Sequence, residues 1–147
     1  MHPNFPDGEY LLTEKVSYYL ADPSRGDVVV FKPPFTNDDE FIKRIIALPG
    51  ERVSIRDSKV YINGQPLAES YLSPTLITSS GSFLEEGVDF LVPQGKYVVL
   101  GDNRPHSSDS RTWGAITKKD ITGKAWLTYW PTKSAGVVKK PTYDYSP

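Results

Sequence analysis

Two stretches of the sequence hold residue types that could do chemistry together. The first is Phe41-Ile42-Lys43-Arg44-Ile45-Ile46. As a strand it turns Phe41, Lys43 and Ile45 to one face and Ile42, Arg44 and Ile46 to the other, so each apolar face carries one cation. Arginine keeps its proton at any working pH. A lysine among apolar groups can lose it, because desolvation disfavours the charged form. Lys43 is therefore the candidate general base. To serve as one near neutral pH it must give up about 4 kcal/mol of preference for its charged form, which requires a substantially buried site. The same spacing also fits a lysine at a sheet edge with its ammonium in water, and these residues alone leave both readings open.

The second stretch is Gly101-Asp102-Asn103-Arg104-Pro105-His106-Ser107-Ser108-Asp109-Ser110-Arg111-Thr112-Trp113-Gly114, directly after the apolar run Tyr97 to Leu100. Asp and Arg supply charge-assisted pairs, Ser and Asn bond to nearby backbone, and glycine permits positive φ. The composition is that of a structured loop, and the hydroxyls of Ser107, Ser108 and Ser110 could orient a neutral lysine from a neighbouring strand. His106 beside Ser107 and Asp109 has the residue types of a Ser/His/Asp triad, but neighbours on one loop rarely converge as triad members from separate elements do. His2 and His106 lack flanking ligands at metal-binding spacing, and neither a metal nor another cofactor is called for.

The elements that must position these groups are short. Apolar stretches recur between Gly, Pro, Asn and Asp clusters, with almost no i, i+3, i+4 pattern. The expected class is mostly β, an antiparallel sheet core with a small irregular or β insertion. Expected strands are Glu9 to Glu14, Asp27 to Phe31, Glu40 to Ala47, Arg52 to Arg56, Lys59 to Ile62, Tyr97 to Leu100 and Gly123 to Trp130. A two-residue turn at Asp57-Ser58 would pair Ile55 with Val60 and Val53 with Ile62, making one face apolar. Residues 1–51 and 96–147 read as the core, and 52–95 as a hairpin and smaller insertion, irregular from about Ala68 to Gln94. Thr117 to Asp120 suits one short turn or 3₁₀ segment. Trp126 and Trp130 read as core or interface packing, and the tail after Pro131 as ordered only where it docks.

Composition narrows the function classes. Seventeen Lys and Arg against eighteen Asp and Glu leave a formal charge of -1 over 147 residues, so no global basic field favours nucleic acid. There is no cysteine, which excludes disulfides, thiolate metal sites and a cysteine nucleophile. Apolar runs such as Val28 to Phe31 are four residues long, far short of a membrane span. The N-terminus has neither the basic nor the apolar region of a secretory signal.

Four blocks, in order, resemble the bacterial type I signal peptidases, which use a Ser/Lys dyad. Met1-His2-Pro3-Asn4-Phe5 is similar to the end of their Ser-Met-x-Pro-Thr-Leu nucleophile box, and Arg25-Gly26-Asp27-Val28-Val29-Val30-Phe31 to the strand block that follows. Phe41 to Glu51 resembles the block with the general-base lysine, which assigns that role to Lys43. Gly101 to Gly114 resembles the long Gly-Asp-Asn-Arg block, whose first serine corresponds to Ser107. Asn4 departs from the usual threonine, and Pro105-His106 from an acidic residue and asparagine.

The resemblance implies the fold shared by signal peptidases and self-cleaving repressor proteases. It implies that Ser107 hydrogen-bonds the Lys43 amine, that Asp109 and Arg111 brace the loop, and that Met1, Phe5, Phe41 and Ile42 line substrate pockets. Signal-peptide-bearing preproteins would be the substrates, lying as an added β-strand with small residues in shallow pockets. The full-length protein would be anchored in the cytoplasmic membrane, its catalytic domain on the extracytoplasmic face. The nucleophilic serine corresponds to the position just before Met1, so residues 1–147 by themselves are expected to be inactive. The alternatives are a self-cleaving repressor-type Ser/Lys protease and a non-catalytic member that only binds extended peptides.

Overall fold

The structure, a computed structural model, describes residues 1–5, 10–33, 35–36, 39–130 and 135–143. Among the described residues eleven strands follow one another: β1 (Tyr10–Glu14), β2 (Val28–Phe31), β3 (Phe41–Ala47), β4 (Arg52–Arg56), β5 (Lys59–Ile62), β6 (Gln65–Pro66), β7 (Phe90–Leu91), β8 (Lys96–Leu100), β9 (Ile116–Thr117), β10 (Ile121–Trp130) and β11 (Gly136–Val137). They form a seven-stranded sheet in the order β1-β10-β2-β3-β8-β9, with β11 also on β10, and a four-stranded sheet in the order β6-β5-β4-β7. Every strand pair is antiparallel. The chain is thus mostly β, as its short apolar runs imply. Glu9, the Trp130 side chain and the tail segments 131–134 and 144–147 lie outside the described residues.

The β4-β5 hairpin forms in the expected register, Val53 opposite Ile62 and Ile55 opposite Val60. Asp57 and Ser58 both adopt the left-handed region, φ 48° and 63°, as a turn matching the strand twist requires. The four paired apolar side chains are buried and belong to a core cluster that also contains Ile46, Ala47, Val98 and Leu100 of the larger sheet. A second cluster, with Val29, Phe31, Ile45, Tyr97, Val99 and Ile116, covers the opposite face of the larger sheet. β3 therefore lies between two apolar layers, Ile46 in one and Ile45 in the other. This arrangement buries Arg44 and half-buries Lys43.

Two helical turns escape the sequence periodicity. The first, α1 (Ser17–Leu20), is too short to show a repeat. The second, α2 (Ser110–Trp113), is announced only by its cap, the Asp109 carboxylate accepting from the Arg111 N–H. The expected 3₁₀ turn forms over Lys118–Asp120, closed by a reciprocal capping box between Thr117 and Asp120. Trp126 is partly exposed on β10 rather than sealed in a core.

Candidate active site

Strand alternation gives Lys43 its environment. Its stem runs beside Gly101, where the chain leaves β8, and its amine lies 5.4 Å from the centroid of the Phe41 ring. Burial holds the amine below the ordinary lysine range; the charges of Asp109 and Asp102 pull the other way, and that of Arg111 adds to the lowering. No hydrogen bond or ion pair engages the amine among the described residues.

Gly101 is the floor shared by Lys43 and Ser107. A Cβ at this position would sit 2.1 Å from Ser107 Oγ and 3.5 Å from Lys43 Cδ, so the close approach of the two side chains depends on glycine. The hydrogen bond expected between them is not formed: Ser107 Oγ is buried without a partner among the described residues. Both side chains nonetheless lie against Gly101.

Asp109 and Arg111 brace the loop that carries Ser107. Asp109 accepts from Gly101 N at 3.1 Å and takes a two-pronged bond from Arg111, Nε to Oδ1 and Nη2 to Oδ2, both at 2.8 Å. Arg111 also donates to the Arg104 carbonyl at 2.7 Å, and Ser110 Oγ accepts from Val99 N at 2.9 Å. The loop is thereby fastened to itself and to β8.

The other expected residues divide between the two faces of β3. Phe41 shares the Lys43 face and packs edge-on against Phe31 and the exposed Phe35, which in turn meets Trp113. Ile42 falls on the Arg44 face by alternation. Phe5 lines a polar cavity with Asn4, Arg44, Tyr71 and Thr128. Met1 approaches the loop through its sulfur, which accepts from Asp102 N at 3.3 Å.

The sequence reading assigned no role to four residues at the centre of the site. Arg44 grips the fully buried Asp102 with Nε to Oδ1 at 2.9 Å and Nη2 to Oδ2 at 2.6 Å, and its guanidinium lies over the Tyr71 ring. Burial works against this cation, and the bonds and charge of Asp102 more than offset it. Arg104, buried as well, pairs with Glu69 and bonds Thr78 Oγ1 at 2.7 Å and the Gly101 carbonyl at 3.0 Å. The Gly-Asp-Asn-Arg run was the signal for Asp102 and Arg104. Nothing local marks Glu69, whose partner is 35 positions away.

Residues 1–130 match the family described as signal peptidase, peptidase S26. The chain is 38% identical over 143 residues to a probable signal peptidase I-2 of Synechocystis, covering 94% of this chain and 62% of that protein. It is 38% identical over 149 residues to signal peptidase I of Leptolyngbya laminosa, covering 96% and 70%. The crystal structure of a signal peptidase I from Enterococcus faecalis superposes with a TM-score of 0.56 at 35% identity, over 71% of this chain and 97% of that one. The chain thus spans under two thirds of the length of the Synechocystis relative.

Proposed function

This chain belongs to the signal peptidase family, peptidase S26, and on that premise we propose that it is the catalytic region of a serine endopeptidase that removes N-terminal signal peptides from secreted preproteins. Lys43 is the general base and Ser107 orients its amine. The nucleophile is a serine directly preceding Met1 in the full-length protein. The observation that carries this reading is the half-buried Lys43, its amine held below its ordinary pKa by burial and in no ion pair among the described residues, with the buried Ser107 hydroxyl, also without a partner among them, against the same glycine. A structural lysine gains nothing from that environment, whereas a general base requires it.

In the reaction the serine oxygen attacks the scissile carbonyl carbon and its proton passes to Lys43 Nζ. The tetrahedral adduct then breaks the C–N bond, and the new amino terminus of the mature protein leaves with the proton from Lys43. Water, deprotonated by Lys43, hydrolyses the acyl-enzyme and regenerates the serine. The edge of β3 supports strand-wise substrate binding. Phe41 to Lys43 pair with β2 on one side, while β8 joins the other side only from Arg44 onward. That leaves backbone open beside Lys43 for an added strand. Phe41, Ile42, Met1 and Phe5 are proposed to shape the pockets for its small side chains.

No helix among the described residues is long and apolar enough to cross a membrane. Anchoring in the cytoplasmic membrane, with this region on the outer face, is proposed for a segment outside residues 1–147. The test is cleavage of an Ala-x-Ala peptide in detergent by three proteins: residues 1–147, the same chain extended upstream through the serine, and that extended chain with Lys43→Met. Only the second should turn over. Robust cleavage by the first or third would overturn the mechanism.

A further inference from the structure

We infer that Asn4 is a positioning residue, setting the nucleophile segment against the general base through Asp102 and the insertion. The inference rests on the reading that the serine preceding Met1 attacks the substrate. Asn4 uses both N–H groups of its amide: one reaches Asp102 Oδ2 at 2.8 Å, the other the Tyr71 carbonyl at 3.1 Å. Asp102 returns its own backbone N–H to Met1 Sδ. One buried carboxylate is thus bonded to the segment that follows the nucleophile and to Arg44, the residue next to the general base. It also adjoins Gly101, the floor on which Lys43 and Ser107 meet.

Asn4 itself is exposed, but its charged acceptor is sealed from water and locked by Arg44, so the bond has a fixed end. Tyr71 is fixed as well: its hydroxyl donates to Glu69, which pairs with the buried Arg104. The insertion therefore supplies the second anchor of the segment, a function that strand pairing alone would not assign to it. Threonine offers one donor and could keep only one of the two anchors. Aspartate has nearly the shape of asparagine, offers no donor when ionised, and places a second negative charge against Asp102.

The test uses the full-length protein in detergent with an Ala-x-Ala peptide, comparing Asn4→Ala, Asn4→Asp and Asn4→Thr with the parent. A displacement of about 1 Å at the reacting atoms can cost about 100-fold. Asn4→Ala is expected to lower kcat about 10- to 100-fold with KM within about 3-fold, Asn4→Asp to lower it further, and Asn4→Thr to recover part of the loss, all with a thermal midpoint close to that of the parent. A kcat for Asn4→Asp within about 2-fold of the parent would overturn the inference. So would a change confined to KM, a threonine variant no better than aspartate, or an activity loss matched by loss of folded protein. A parent that fails to cleave would instead refute the catalytic reading itself.

Discussion

In the proposed roles, Lys43 and Ser107 would each trade stability for chemistry, and the trade is measurable at both. A lysine whose amine is depressed in the folded state binds fewer protons there than in the unfolded chain. Between the two pKa values stability therefore rises with pH, and below the folded value the full penalty applies. Lys43→Met keeps the apolar stem and removes that penalty. It should abolish cleavage while keeping or raising the thermal midpoint at pH 7, and the gain should shrink as pH rises through the ordinary lysine range near 10.4. Catalysis has the same sign: kcat/KM should climb with pH along a limb set by the neutral amine, displaced below the ordinary lysine range. Ser107 Oγ is a buried hydroxyl without a partner among the described residues, a state that costs roughly 1 to 3 kcal/mol. Ser107→Ala should leave the urea midpoint unchanged or higher while reducing kcat. A large loss of stability would show that the hydroxyl holds the fold rather than the amine.

At the scale of elements, the hairpin and the loop make opposite predictions. Asp57 and Ser58 hold left-handed backbone at the tip of the β4-β5 hairpin, a conformation that costs about 1 to 2 kcal/mol for an ordinary side chain. Replacing the pair by Asn-Gly should raise the thermal midpoint by a few degrees without altering turnover, because the turn belongs to the smaller sheet and Lys43 to the larger one. Gly101 allows no such freedom. Gly101→Ala would drive a methyl group into Ser107 and should cut kcat at least as deeply as Ser107→Ala, while circular dichroism shows the same sheet.

Across the whole molecule, the two sheets depend on one another. Their facing apolar side chains form one cluster, and Arg104 in the loop finds its carboxylate partner, Glu69, between β6 and β7. Glu69→Ala would strand a buried guanidinium, a defect worth about 3 to 5 kcal/mol. Urea unfolding should show one shifted transition rather than separate melting of the smaller sheet; two transitions would mean that the sheets fold independently.

The sequence by itself determined what short-range rules can read. Alternation in Phe41 to Ile46 separated a lysine from an arginine on opposite faces, and the Asp57-Ser58 pairing set a register that the hairpin adopts. The density of Asp, Ser and Arg after Leu100 marked a self-bracing loop, and the ordered blocks pointed to the family. Only the tertiary structure decided the rest. How far Lys43 is buried depended on two apolar layers closing over β3 from residues scattered along the chain. Arg44, Asp102, Arg104 and Glu69 acquired meaning only as pairs, and Asn4 only by reaching Asp102 and Tyr71. Local pattern carries the orientation of a side chain, but desolvation and ion pairing are set by atoms brought together over tens of residues, and no periodicity encodes them.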